Sequence, residues 1–143
     1  MVLCDVNVLV SAGMAESPHH AACRSAVQDL VDAGEHFGVS EMVLAAVVRI
    51  STNPRIWQTP ASPQSAFGFV RALRSHGKAV PVVAGPRHWR IFEDLVLQLG
   101  IRGADTTDAY LAALAQEHGC EWWSLDAGFA RFPGLRWRNL IRS

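Results

Sequence analysis

Five acids stand at positions where chemistry is plausible. Asp5 interrupts the apolar run MVLCDVNVLV, and Glu41 follows FGVS. Asp105 and Asp108 open ADTTDAYLAALAQEHG, and Asp126 closes CEWWSLD. A carboxylate among apolar residues is expensive unless something compensates it. Clustered carboxylates also raise one another's pKa. A divalent cation reverses that logic. Mg²⁺ prefers oxygen ligands and usually keeps several waters. One or two such ions can polarise a phosphate and stabilise the attacking and leaving oxygens of phosphodiester cleavage. Asp5 is therefore placed to hold a metal.

Each acid also has a purely structural reading. Asp105 is a good helix N-cap, with Asp108 completing a capping-box-like arrangement. Glu41 suits the positive end of a helix dipole. Asp126 suits a turn ahead of Ala127-Gly128. Two acids fit these readings less well. Caps seldom sit between two apolar runs, as Asp5 does, and an exposed cap at Asp108 would not need the Ala-rich face that follows it (Ala109, Ala112, Ala113, Ala115).

The elements that must position these acids alternate. VLCDV reads as a buried strand, and NVLVSAGM begins a short helix. HHAACRSAVQDLVDAG has helical spacing ending at Gly34, and HFGV is a second strand. SEMVLAAVVRIST is a helix with Ser40 as its cap, ended by Asn53-Pro54. PRIWQTPASP, with three prolines, reads as an exposed loop and the one plausible flexible arm. SAFGFVRALRSHG is a helix closed by Gly77. AVPVV is a strand whose Pro81 indicates an edge. PRHWRIFEDLVLQLG runs from Pro86 to Gly100 as a helix, and ADTTDAYLAALAQEHG is the clearest helix. CEWWSLD is a strand, AGFARF a short helix, and LRWRN a final strand. Alternating strands and helices imply an α/β fold with a parallel sheet covered on both faces. Ligands in such sheets bind outside the carboxyl ends of the strands, where four of the five junctions carry an acid nearby.

At 143 residues the chain suits one domain, spanning 1–143, with a substantial core. Half of it is hydrophobic and 18% charged, which excludes a disordered chain. Thirteen Lys+Arg offset thirteen Asp+Glu, excluding a uniformly basic nucleic-acid coat but not a local basic patch. Cys4, Cys23 and Cys120 lack metal-site spacing and read as reduced hydrophobes. The histidines (His19, His20, His36, His76, His88, His118) form no zinc motif and read as surface or helix-end residues. Trp122 and Trp123 read as strand packing. No secretory signal pattern or bilayer-length apolar run is present, so the expected location is cytoplasmic, away from membranes.

At these residues the sequence resembles the PIN-domain ribonucleases, and within them the VapC-type toxins of bacterial toxin–antitoxin pairs. The likeness is carried by LCDVNVLV, VVRISTNPRIW, TTDAYLAALAQEHGCEWWSLD and FARFPGLRW, in that order, across nearly the whole chain. It implies a small α/β/α sandwich with a central, mostly parallel sheet of about five strands, and four acidic positions around Mg²⁺ or Mn²⁺. Carried over by position, Asp5 matches the first acid, Asp108 the third and Asp126 the fourth, with Asn7 supporting the first. The family's second acid usually lies just before the Arg of a V-x-R-like stretch. Here Ala45 and Ala46 precede VVRI, and the nearest acid is Glu41, on the same helix face as position 45. The family often has an Asp two residues after the fourth acid, where this chain has Gly128. Asp105 is a candidate supporting or substitute ligand.

The resemblance implies metal-dependent endoribonuclease chemistry by a toxin. Asp5 and Asp108 bind the principal Mg²⁺, while Glu41 and Asp126 complete the pocket. Arg49 with Asn53, Arg55, and the Arg-rich end (Arg131, Arg136, Arg138, Arg142) are candidates for RNA phosphate contact, and Trp57 for stacking on a base. It also implies a homodimer and a cognate VapB-type antitoxin. Phe67, Phe69, Trp89 and Phe92 are candidates for those surfaces or for the core. Two other readings stand beside it: a non-catalytic PIN-like module that binds RNA or protein, and another Mg²⁺-dependent phosphoryl-transfer enzyme. The third is disfavoured because DVN lacks the second Asp that aspartyl-phosphate hydrolases use.

Overall fold

A computed structural model describes residues 1–141; Arg142 lies outside the described residues. The apolar opening forms β1 (Val2–Cys4), and Asp5 turns the chain at once into α1 (Val6–Gly13). After α2 (His20–Asp32), the fully buried β2 (Phe37–Val39) leads into α3 (Glu41–Ser51). Ser40 caps α3, its Oγ accepting from the Val43 amide as the N-terminal turn requires. Then come α4 (Pro63–Arg74), β3 (Ala79–Pro81), α5 (His88–Leu99) and α6 (Asp105–Glu117). The chain closes with β4 (Glu121–Trp123), a short 3-10 helix (Ala127–Arg131) and β5 (Trp137–Arg138).

All strand pairs are parallel. The expectation of a single sheet needs correction: the ladders are two, β1-β4-β5 and β2-β3. Two- and three-residue strands offer few ladder positions, and β2 lies beside β1 without joining it. Gly38 permits this approach. A Cβ there would stand 2.8 Å from Val82 Cγ2 and 3.3 Å from Leu3 Cδ1. The helices pack as α1 with α2 and α3, α3 with α4, and α5 with α6 around the strands, giving the α/β/α layering. Because β1 and β4 pair in parallel, their carboxyl ends, leading to Asp5 and to Ser124 and Asp126, share one edge. Among the described residues, no helix is long and apolar enough to cross a membrane.

The core follows the pattern. Leu3, Val8, Phe37, Val43, Val47, Trp122 and Phe129 are fully buried, so Trp122 packs as expected. Cys4, Cys23 and Cys120 are free and buried. Ala109, Ala112, Ala113 and Ala115 let α6 sit close against its neighbours. Gly100, at φ 63°, stops α5 in the left-handed conformation that glycine tolerates best.

Other local readings change. α4 starts at Pro63 rather than Ser65, because Ser62 caps it and proline at the first helical position has no amide to leave unpaired. β3 ends at Pro81, and Val83 is exposed. The proline-rich loop is not a free arm. Glu16 accepts from the amides of Gln58 and Thr59 at 3.0 and 2.7 Å, and Trp57 Nε1 donates to the Ile50 carbonyl at 2.8 Å. His88 begins α5 but is buried, its Nε2 3.0 Å from the Tyr110 carbonyl.

Glu117, at the end of α6, is buried and clamps the start of α5. Its carboxylate accepts from the Gly85 amide at 2.7 Å and the Arg87 amide at 2.9 Å. Burial pushes its pKa up, but these hydrogen bonds and the nearby His118 and His88 outweigh burial, and the carboxyl lies below its ordinary 4.5. A depressed carboxyl contributes stability above its unfolded pKa and loses it as pH falls through the folded one. Glu117→Ala should therefore destabilise the protein by roughly 2–4 kcal/mol near pH 7. Urea unfolding should show the gap between variant and parent narrowing as pH drops below 4.5.

Candidate active site

Asp5 performs two tasks with two oxygens. Its Oδ1 accepts from the Val6 amide at 2.7 Å, capping α1. The cap reading, weak from sequence, is therefore correct for this oxygen: strand and helix are joined by one residue, so the acid between the two apolar runs is also the helix's first acceptor. Oδ2 accepts from the Ser124 hydroxyl at 2.7 Å. The Asp5 amide donates to the Trp123 carbonyl at 2.8 Å, extending the β1–β4 pairing to the residue beside Ser124.

Ser124 is fully buried and its hydroxyl is saturated. Besides donating to Asp5, its oxygen accepts from Asn7 Nδ2 at 3.3 Å and from the Asp126 amide at 3.1 Å. Asn7 Oδ1 accepts in turn from the Leu125 amide at 3.1 Å. The opening of α1 and the turn after β4, well over a hundred residues apart, are thus locked together. Sequence reading missed Ser124. The signal was its place in SLD, directly between strand and acid.

Asp126 is exposed and caps the 3-10 helix, accepting from the Gly128 amide at 2.8 Å. Asp108 projects half-buried from the first turn of α6. Burial raises Asp5, the Ser124 and Val6 hydrogen bonds partly offset this, and the charges of Asp108 and Asp126 add to it, giving a pKa of about 6. Asp108 is raised by burial and by Asp126 and Asp105, against the opposing charge of Arg131. Asp126 acts on both Asp5 and Asp108, and Asp108 on Asp5, so the three carboxylates lie within electrostatic reach of one another.

The other candidates fall elsewhere. Ala104, not Asp105, occupies the cap of α6, and no side chain caps that end. Asp105 is exposed at the pocket's margin, 3.8 Å from Arg131 Nη1. Glu41 borders a hollow shared with Tyr110 and Leu114 of α6. Its carboxylate forms an exposed ion pair at 2.8 Å with Arg74 of α4, and it is not among the charges acting on Asp5 or Asp108. Arg49 lies eight residues, about 12 Å, further along α3 than Glu41. Asn53 Oδ1 accepts from the Arg55 amide at 2.9 Å, so it builds the turn there. Trp57 is half-buried over α3 rather than displayed for stacking. Arg136 donates to the Gly119 carbonyl, and Arg138 lies 5.2 Å over the Trp123 ring.

The donor set fits a hard divalent cation. Three carboxylates share one electrostatic neighbourhood, the most buried has its pKa raised, and the adjacent Cys4 thiol is held protonated by burial. Among the described residues no three such groups stand close enough to enclose an ion as they are. Asp108 is turned toward Arg131, 3.5 Å away.

Comparison with known proteins agrees with this architecture. The chain belongs to the PIN domain family, which it matches over residues 2–135. Within that family its relatives are VapC ribonucleases. Ribonuclease VapC43 of Mycobacterium tuberculosis is 42% identical over 139 residues, covering 97% of this chain and 95% of the relative. Ribonuclease VapC25 of the same species is 38% identical over 136 residues, covering 95% and 96%. Two crystal structures share the fold. VapBC2 from Rickettsia felis, bound to a DNA fragment from its promoter, has a TM-score of 0.67 at 15% identity, covering 95% of this chain and 96% of that one. Mycobacterium tuberculosis VapC20, a sarcin–ricin loop cleaving toxin, has a TM-score of 0.62 at 17% identity, covering 92% and 96%.

Two stability experiments probe the pocket. An acid whose folded pKa is raised destabilises the fold once ionised. In EDTA, Asp5→Asn removes the charge but puts an amide donor where one acceptor oxygen stood, so either the Val6 amide or the Ser124 hydroxyl loses its partner. Relative to the parent, the variant should gain roughly 1–3 kcal/mol as pH rises from 3.8 through about 6, as read by thermal unfolding. Ser124→Ala should cost roughly 1–3 kcal/mol and move the Asp5 titration, followed by carboxyl NMR, to higher pH.

Proposed function

We propose that the chain is a metal-dependent endoribonuclease that acts as the toxin of a toxin–antitoxin pair. The observation that supports this reading is that Asp5 and Asp108, from distant segments, are both raised by burial and by the charge of Asp126 beside the carboxyl ends of β1 and β4. The names of the VapC relatives support the ribonuclease assignment. Asp5, Asp108 and Asp126 would hold Mg²⁺ or Mn²⁺, which when bound supplies Lewis acidity toward phosphate and lowers the pKa of water. Ser124 and Asn7 hold the Asp5 carboxylate and the Asp126 turn in register, so the acids meet the substrate with little reorganisation. Asp126, the most open of the three, is free to orient a water from solvent. Glu41 has a role only if its carboxylate exchanges Arg74 for the pocket.

The partners proposed are an RNA substrate, a cognate VapB-type antitoxin and a second copy of the chain. Phe67 on α4 and Trp89 and Leu97 on α5 are exposed and suit protein surfaces; Phe69 and Phe92 pack against the core. A second reading, a PIN-like module that binds without cutting, is favoured by two observations: Glu41 is engaged with Arg74, and among the described residues no three donors enclose a point.

An RNA cleavage assay with purified protein separates the two. Asp5→Asn and Asp108→Asn, and EDTA added to wild type, should each lower the cleavage rate by roughly a hundredfold or more. Equal cutting by all three proteins would remove the metal mechanism, and no cutting by any of them at saturating Mg²⁺ or Mn²⁺ would favour the binding module.

A further inference from the structure

Arg131 ends the short helix that Asp126 begins, so its backbone is fixed relative to that acid. Its guanidinium reaches across to α6. Nη2 lies 3.5 Å from Asp108 Oδ2 and Nη1 lies 3.8 Å from Asp105 Oδ2. The group rests 5.0 Å above the ring of Phe132, which packs on Phe129 and through it on Trp122, so the arginine has a rigid floor. Gly128 leaves the space open. A Cβ at that position would stand 3.0 Å from Asp126 Oδ1 and 3.7 Å from Arg131 Nη1. The fork therefore lies among Asp105, Asp108 and the Asp126 turn, where positive charge is most needed.

We infer that Arg131 is the pocket's internal counter-ion and that a divalent cation must displace it from Asp108 to bind. This inference rests on the metal-binding reading above. Two costs follow for the incoming ion. The Arg131–Asp108 contact has to break, and the ion has to bind beside a fixed positive charge. Asp105 and the Phe132 face keep the displaced guanidinium close, so the second cost persists after exchange. Arg131 thereby sets the concentration at which the nuclease loads, holding affinity below what three carboxylates alone would give. Arg131 is itself solvent-exposed, so the alternative is an ordinary surface pair whose removal leaves cation affinity unchanged.

The test is Mn²⁺ binding to the full chain without RNA, followed by the electron paramagnetic resonance of free Mn²⁺. Arg131→Met should bind Mn²⁺ about threefold to tenfold more tightly than wild type at low ionic strength, with the gain shrinking as salt is raised. Arg131→Lys keeps the charge and should stay within about twofold of wild type. Asp5→Asn should lose the binding, which locates the ion in the acidic pocket. Equal or weaker binding by Arg131→Met, with Asp5→Asn still abolishing it, overturns the counter-ion role and leaves the metal reading intact. Tightening by Arg131→Lys as large as by Arg131→Met also overturns it, because charge would not be the cause. Binding that is missing from wild type and Arg131→Met alike, or indifferent to Asp5→Asn, overturns the metal reading and this inference together.

Discussion

The hydrogen bond between the Ser124 hydroxyl and Asp5 Oδ2 joins the two ends of the chain at the place where charge is hardest to keep. Asp5 is nine-tenths buried, and its carboxylate would leave water with only the Val6 amide as partner if Ser124 were missing. The hydroxyl supplies a second donor and uses its remaining capacity to accept from Asn7 and from the Asp126 amide. One buried oxygen therefore settles three geometries: the rotamer of Asp5, the start of α1 and the turn that presents Asp126. Such saturated networks are rigid because every alternative leaves a polar atom unpaired in a low-dielectric setting.

That rigidity leaves a residual electrostatic imbalance. Two donors reduce the penalty on Asp5 but do not cancel it, since Asp108 and Asp126 still raise its pKa. The fold keeps carboxylates in mutual repulsion at the sheet's carboxyl edge and closes the account locally with one arginine. In structural proteins such acids are normally paired inside the same element or turned to solvent. Here the acids come from three separate segments: parallel β1 and β4 lead to Asp5 and Asp126, and the first turn of α6 carries Asp108. The arrangement is the expected signature of a site where charge is held ready for a ligand rather than used for stability.

Much of this was legible from residue order. Asp5 stood out because an acid between two apolar runs has few bland explanations, and Asp126 because it closely follows an apolar strand. The alanine face after Asp108 announced a close-packed helix, and α6 is that helix. What was not legible depended on partners distant in sequence. Ser124 looks like any serine until its hydroxyl is seen against Asp5. Asp105 satisfied every local rule for a cap, yet the chain enters α6 one residue earlier and leaves Asp105 to Arg131. Glu41 is the nearest acid to VVRI along the chain, whereas its contact is set by where α4 brings Arg74. The proline-rich loop read as free because Glu16, which ties it down, lies more than forty residues away. Local pattern determines which residues face inward; it does not reveal which of two solvent-facing charges will find each other.

Cys4 immediately precedes Asp5 and is buried against β4, with burial and the neighbouring Asp5 charge pushing its thiol pKa far above that of a free cysteine. A thiol in that state is inert to alkylating reagents. Its side chain lines a small hollow with Leu9, Val27 and Phe37, so its modification requires the helices packed over β1 to open, one residue from the Asp5–Ser124 link. The rate at which this thiol reacts in the native protein is therefore a built-in clock for how often the layer beside Asp5 breathes.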